Sequence, residues 1–213
     1  MAGTSIDWLE RLAGETQAKM IGLLRRSRQT ITSLARALGL TDNAVRTHVT
    51  LLTRDGIVKD VGAERDTGGK PARVYDLTPE GEELFPKAYA LVLERLINEL
   101  SRREGRDRAI KLLRAVGSQA ARDSGVSAPG DLKGKAAAAA TVLKALGGDV
   151  EVQKVEGGWL LQGYGCPLSA VTATHAEACA LARGVVEEIT GEKVVECCER
   201  GERPRCRFRV EAA

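Results

Sequence analysis

The sequence has no apolar run approaching the ~20 residues that a membrane-spanning helix needs. No membrane partner is therefore expected. Its first residues, MAGTSIDWLERLAGETQ, carry acids and lack the basic start and apolar core of a secretory signal, so a cytoplasmic location is expected. Gly-rich phosphate loops, a nucleophile elbow and a zinc-protease helix motif are all missing, which argues against an enzyme. An excess of one charge is missing too: 32 Lys and Arg face 29 Asp and Glu, a formal net charge of +3. Only the distribution of that charge can speak for or against nucleic acid. The five cysteines are an odd number, and a reducing compartment disfavours a disulfide framework, leaving metal or redox chemistry for them. What remains is an ordinary globular composition, 43% apolar and 29% charged, on a 213-residue chain long enough for two domains.

TQAKMIGLLRRS (16–27) has the apolar spacing of a helix that buries Met20, Ile21, Leu23 and Leu24. A second short helix is marked by Ile31, Leu34, Ala35 and Leu38, and Gly39-Leu40 makes a turn. Thr41 can then cap a third helix reaching about Asp55. In that third helix Val45, Val49 and Leu52 share the core face. Asn43, Arg46, Thr47, Thr50 and Arg54 share the opposite one, where such side chains could meet phosphates and base edges. Two strands follow, Ile57 to Val61 and Ala72 to Leu77, joined by a Gly-rich loop carrying Arg65 and Lys70, with Arg73 just beyond. Three helices and a basic hairpin make a winged helix-turn-helix over 1–78. The phrase RDGIVKDVGAERDTGGKPARVYDLTPEG resembles the wing of ArsR/MarR-like regulators. Lys70 stands where that family usually has arginine, which keeps the charge and loses the planar fork. The resemblance implies a double-stranded DNA operator as partner.

Residues 78–100 open with a capping-type Thr and read as one long helix. Its apolar positions, Leu84, Phe85, Ala88, Leu91, Val92, Leu96 and Leu100, are wider than a single stripe. A second amphipathic segment, 105–124, adds Ile110, Leu112, Leu113 and Val116. Together, 79–125 are expected to form a helical dimerisation region, because winged-helix repressors usually read two half-sites as a homodimer. The alternative is that the two helices pack on each other within one chain. SGVSAPGDLKG (124–134) reads as a linker.

Beyond it, 126–213 repeat one design. A helix, Gly-Gly and two strands around an Glu-Gly-Gly turn are followed by a helix over about Leu168 to Ile189, Gly191 and two more strands. Aligning LGGDVEV with TGEKVVE matches Gly147 to Gly191 and Val150 to Val194. The fold class expected is thus α+β: an N-terminal winged helix-turn-helix, a helical segment, and a C-terminal duplicated helix-strand-strand domain whose sheet is covered on one face. Cys166 lies in a turn, Cys179 in the following helix, Cys197 and Cys198 at a strand end, and Cys206 in the last strand in phase with Phe208 and Val210. Thiols gathered from separate elements suit a soft metal or an iron-sulfur cluster. The crowded arginines of the tail (Arg200, Arg203, Arg205, Arg207 and Arg209) read as a solvated strand face balanced by Glu196, Glu199 and Glu202.

The string C-P-L-x6-H-x3-C (Cys166, His175, Cys179), then Cys197, Gly201, Cys206 and Phe208, behind a winged helix, resembles the SufR-like iron-sulfur-sensing repressors. That resemblance implies a 4Fe-4S cluster, repression of genes for cluster assembly, and Cys166, Cys179 and Cys206 as core ligands. Cys198 is taken as the fourth, with Cys197 and His175 as rivals. His175, four residues before Cys179, would share a helix face with it; His48 is read as structural. Two alternatives stay open: a small-ligand or thiol-redox C-terminal domain free of metal, or structural zinc in an interaction module.

Overall fold

A computed structural model describes residues 5–64, 71–128, 130–199 and 204–211. These fall into two compact units, 1–87 and 88–213. Among the described residues no helix is long and apolar enough to cross a membrane.

The first unit contains α1 (Ser5–Ala13), α2 (Glu15–Arg26), β1 (Gln29–Thr30), α3 (Ile31–Leu38), α4 (Asp42–Arg54), β2 (Val58–Glu64), β3 (Ala72–Leu77) and α5 (Pro79–Glu82). α1 is a helix the periodicity reading did not assign, and its Leu9 is buried in the core with Met20, Ile21, Leu24, Leu34, Val45, Val49, Leu52 and Phe85. α3 and α4 start where Thr30 and Thr41 accept hydrogen bonds from Ser33 and Ala44 N–H groups, which satisfies donors a helix start leaves open. Gly39 ends α3 in the left-handed region, at φ 67°, and so sets the turn. The sheet runs β1-β3-β2, antiparallel throughout, with Gln29 opposite Tyr75 and Val58 opposite Leu77. The LTPEG phrase closes the unit. Thr78 Oγ1 donates to Gly56 O at 2.7 Å and accepts from Gly81 N at 2.9 Å. A Cβ on Gly81 would collide with the Ile57 carbonyl oxygen, so only glycine fits there.

The expected helix over 78–100 is two. α5 stops at Glu82, and α6 (Tyr89–Glu104) starts seven residues later. Pro86, between them, has no N–H to give and pushes Phe85 away from helical backbone. Phe85 turns into the first unit's core instead, where the Arg25 guanidinium lies 3.8 Å above its ring and bonds Glu82 at 2.8 Å.

The second unit adds α7 (Arg106–Asp123), α8 (Leu132–Ala145), β4 (Val150–Val155), β5 (Gly158–Gly163), α9 (Ser169–Thr172), a 3-10 turn (Ala176–Ala178), α10 (Cys179–Thr190), β6 (Lys193–Glu196) and β7 (Arg207–Glu211). Its antiparallel sheet has the order β4-β5-β7-β6, so the two hairpins join through β5 and β7. Val150, Leu161, Val194, Phe208 and Val210 form one face and pack with Ala136, Ala139, Leu143, Val185 and Val186 of α8 and α10. This is the duplicated helix-strand-strand domain. Residues 88–125 lie within this unit, and α7 packs along α10. Their backbones touch at Gly117 and Gly184, where a Cβ would sit 2.8 Å from the Leu181 carbonyl carbon and 2.9 Å from that of Arg114. Arg114 pairs with Glu187, and Arg122 with Glu188 at 2.9 Å, across the same contact.

Candidate nucleic-acid interface and metal centre

α4 buries Val45, Val49 and Leu52 and turns Asn43, Arg46, Thr47, Thr50 and Arg54 to solvent. Asn43, Arg46, Thr47 and Thr50 line one shallow concavity with Leu51. The threonine hydroxyls donate one turn back, Thr47 to Asn43 O at 3.1 Å and Thr50 to Arg46 O at 2.8 Å, so what they offer outward is an acceptor lone pair. Arg54 bonds Asp55 at 3.0 Å and Arg73 bonds Asp60 at 2.7 Å. Among the described residues Arg46 has no ion-pair partner, which leaves it the most available cation of this face. Arg65 and Lys70 lie outside the described residues. His48 is half-buried on α4, and its Nδ1 meets no hydrogen-bond partner.

The five thiols are not in disulfides. Four of them come to one end of the second sheet. β6 and β7 pair with Glu196 opposite Phe208, and the bridge Glu199–Arg205 continues that register, which sets Cys198 opposite Cys206. Period two then places Val194, Glu196 and Cys198 on the helix-covered face. Cys197 points the other way: it is exposed and its thiol donates to Val195 O at 3.4 Å. Cys206 is buried, and Gly163 N donates to its carbonyl at 2.7 Å. A side chain on Gly163 would crowd Cys206 Cβ at 3.2 Å.

Cys166 arrives from the turn after β5. The Cys206 thiol donates a hydrogen bond to it, and the Leu168 N–H and Thr172 hydroxyl add support. Together these hold Cys166 down to about 6, so it is a thiolate at neutral pH. The same bond to Cys166, with another to Cys198, pushes the Cys206 thiol up. Cys179 opens α10, and its Sγ lies within 4.8 Å of Cys198 Sγ and a Glu196 carboxylate oxygen. The donors thus form a chain, Cys166 to Cys206 to Cys198 to Cys179. Around them Leu143, Val150, Pro167, Leu168 and Ala182 line an apolar cavity with about 20 Å³ open to a water centre, room for roughly one water.

Two readings of this region change. The segment 168–189 is not one helix: α9 ends at Thr172, and helical structure is interrupted before Ala176. Val171, Thr172 and Thr174 are β-branched, and Thr174 Oγ1 bonds Val171 O at 3.3 Å, which favours a turn over a helix. His175 therefore does not sit one helical turn below Cys179. Its backbone is at φ −127°, and its Nδ1 faces Glu177 at 3.5 Å. The second change is Glu196, read above as part of a solvated charged face. It is half-buried on the inner face beside two thiols. The signal was there in the sequence, since Val194, Glu196 and Cys198 are two apart. The outer face does carry ion pairs, Arg207 with Glu199 at 2.5 Å and Arg209 with Glu211 at 2.6 Å; Arg200, Gly201, Glu202 and Arg203 lie outside the described residues.

Residues 16–59 match the winged helix-turn-helix DNA-binding family. The first unit is accordingly a DNA-binding winged-helix module. No curated protein matches the chain. Among solved structures it is similar to the Adhesin competence repressor (AdcR) from Streptococcus pyogenes, with 23% identity and a TM-score of 0.29, over 47% of this chain and 83% of that one. That likeness is too loose to bear on function.

Proposed function

We propose that the chain is a homodimeric transcriptional repressor whose second unit holds an iron-sulfur cluster, a 4Fe-4S cluster on the resemblance above, through Cys166, Cys179, Cys198 and Cys206. The observation that carries this reading is the gathering of four thiols from four separate places, after β5, at the start of α10, after β6 and before β7, in a protein with a DNA-binding module. The donor chemistry fits: thiolates are the usual ligands of such clusters, and Cys166 is already ionised at neutral pH. When bound, a cluster supplies a centre that iron shortage or oxidants dismantle. The rest is done by the chain. Cys179 is the first residue of α10, so whatever the thiols hold restrains the start of the helix against which α7 packs. Occupancy would alter DNA affinity only by the difference in binding to the competent and incompetent dimer arrangements, and DNA would reciprocally favour the occupied state.

The dimer surface we propose is the outward apolar stripe of the second unit. Tyr89, Val92 and Leu96 of α6 are 71, 61 and 52% exposed, and Val116 of α7 is 55% exposed. Helix spacing puts the first three on one side of α6. A metal-free organic-ligand site at the thiols is less well supported, because the cavity there is far smaller than the ~300 Å³ or more of an organic-ligand pocket.

The test is anaerobic purification, a visible spectrum, and iron and acid-labile sulfide analysis of the wild type and Cys179→Ser. A brown protein with matched iron and sulfide, lost in the variant, is the expected result. A colourless, sulfide-free protein after anaerobic reconstitution overturns the cluster.

A further inference from the structure

One ligand atom each from Cys179, Glu196 and Cys198 lies within 4.8 Å of the other two. Cys179 is buried at the start of α10, and the other two are half-buried on the inner face of the strand running past it. Two thiolates bound to one zinc ion at about 2.3 Å each stand at most about 4.6 Å apart, and a carboxylate oxygen at about 2.0–2.2 Å comes closer. The three donors are therefore already gathered to nearly the span that the ligands of one ion occupy. A cluster instead seats each thiolate on a different iron and spreads the sulfurs over a larger body.

We infer that, in the cluster-free protein, Cys179, Cys198 and Glu196 form a mononuclear site for a divalent transition ion of borderline softness, zinc or ferrous iron. The two thiolates select against calcium and magnesium. The carboxylate makes the set harder than an all-thiolate site, which keeps ferrous iron among its ligands of choice. A four-coordinate ion would have one position left. This goes beyond the cluster reading and does not depend on it: it shares Cys179 and Cys198, adds Glu196 and leaves out Cys166 and Cys206. Where both ligands bind, they compete for two thiols, so ion and cluster exclude each other.

The experiment is a Co²⁺ titration of the full-length, reduced, metal-stripped protein, followed by zinc displacement. One equivalent of cobalt should produce a thiolate-to-cobalt charge-transfer band. Cys179→Ser and Cys198→Ser should each remove about half of it, since one of two thiolates is lost, and Cys166→Ser should leave it unchanged. Glu196→Gln, nearly isosteric, should keep the band at saturation and weaken cobalt binding by at least about tenfold, as even outer partners of metal ligands typically do. Circular dichroism confirms that each variant is folded. The inference is overturned if cobalt does not bind, if Cys166→Ser costs as much intensity as Cys179→Ser, or if Glu196→Gln binds like the wild type. Iron and sulfide in the anaerobic protein report on the cluster separately. A brown protein that fails the cobalt test removes only this inference; a colourless one that passes removes only the cluster.

Discussion

Replacing Gly184 by alanine sets two effects of known size against each other. Alanine in a helix interior is favoured over glycine by about 1 kcal/mol, so propensity alone predicts a more stable protein. The packing predicts the reverse. A Cβ on Gly184 falls on the Arg114 carbonyl oxygen, with that residue's carbonyl carbon at 2.9 Å and Cα at 3.1 Å. These are backbone atoms of α7 and cannot rotate aside, so the helices must part by roughly 0.5–1 Å, which forfeits a quarter to a half of the contact energy across the gap. Overpacking of this kind costs about 1–3 kcal/mol; with backbone on both sides the upper end applies, and the net is about 2 kcal/mol of destabilisation. Gly117→Ala meets Leu181 in the same way. Because either substitution already parts the helices, the double variant should lose less than the sum, by about 0.5 kcal/mol or more. The chain has two tryptophans, Trp8 and Trp159. In a Trp8→Phe background, urea unfolding read by Trp159 fluorescence reports the second unit. A loss of 2 kcal/mol should lower the midpoint by about 1 M. A raised or unchanged midpoint in Gly184→Ala, or strict additivity, refutes the backbone contact.

Three further outcomes are expected. Arg46→Ala should reduce the slope of log affinity against log salt for a mixed-sequence duplex by about 0.9, the loss of one phosphate contact; an unchanged slope in fluorescence anisotropy removes Arg46 from the interface. Val92→Glu, at a residue 61% exposed, should leave urea stability near wild type and convert dimer to monomer in sedimentation, whereas a dimer that persists rules out the α6 stripe. In metal-free protein the Cys166 thiolate fraction rises as pH climbs through about 6, so alkylation of its peptide should be near its plateau at pH 7. Cys206→Ala removes the largest cause of that shift, the donor itself, and should move the midpoint upward; equal profiles would refute the thiol–thiol bond.

Much of the fold can be read from residues whose effect is local. Thr30 and Thr41 cap helices, Gly39 turns the chain, and Val45, Val49 and Leu52 repeat at helical spacing. The winged helix is built from such signals. Where the reading failed, a local cue was outweighed by a longer pattern. Apolar residues continue through Pro86, and the proline still ends the helix, sending Phe85 into one unit and Tyr89 into the other. Helical spacing from Val171 to Cys179 likewise hid the β-branched run that breaks the segment, and with it the true position of His175. The contact of α7 with α10 was not legible at all, because it is made by glycines, whose value lies in the partner backbone they admit.

The metal centre marks the boundary between these cases. Strand alternation is enough to separate Cys197 from Cys198 and to place Glu196 inward. It cannot supply the pairing that sets Cys198 opposite Cys206, because that depends on how far the turn between β6 and β7 carries the chain. Cys179 needs still more: the break before the 3-10 turn makes it the first residue of α10, and the Gly117–Gly184 crossing holds that helix in place. A thiol fixed by helix packing and a thiol fixed by sheet register meet at this one point. Parting α7 from α10 should therefore disturb Cys179 while leaving Cys198 and Cys206 in register, so Gly184→Ala is expected to weaken metal binding through a residue that touches no ligand.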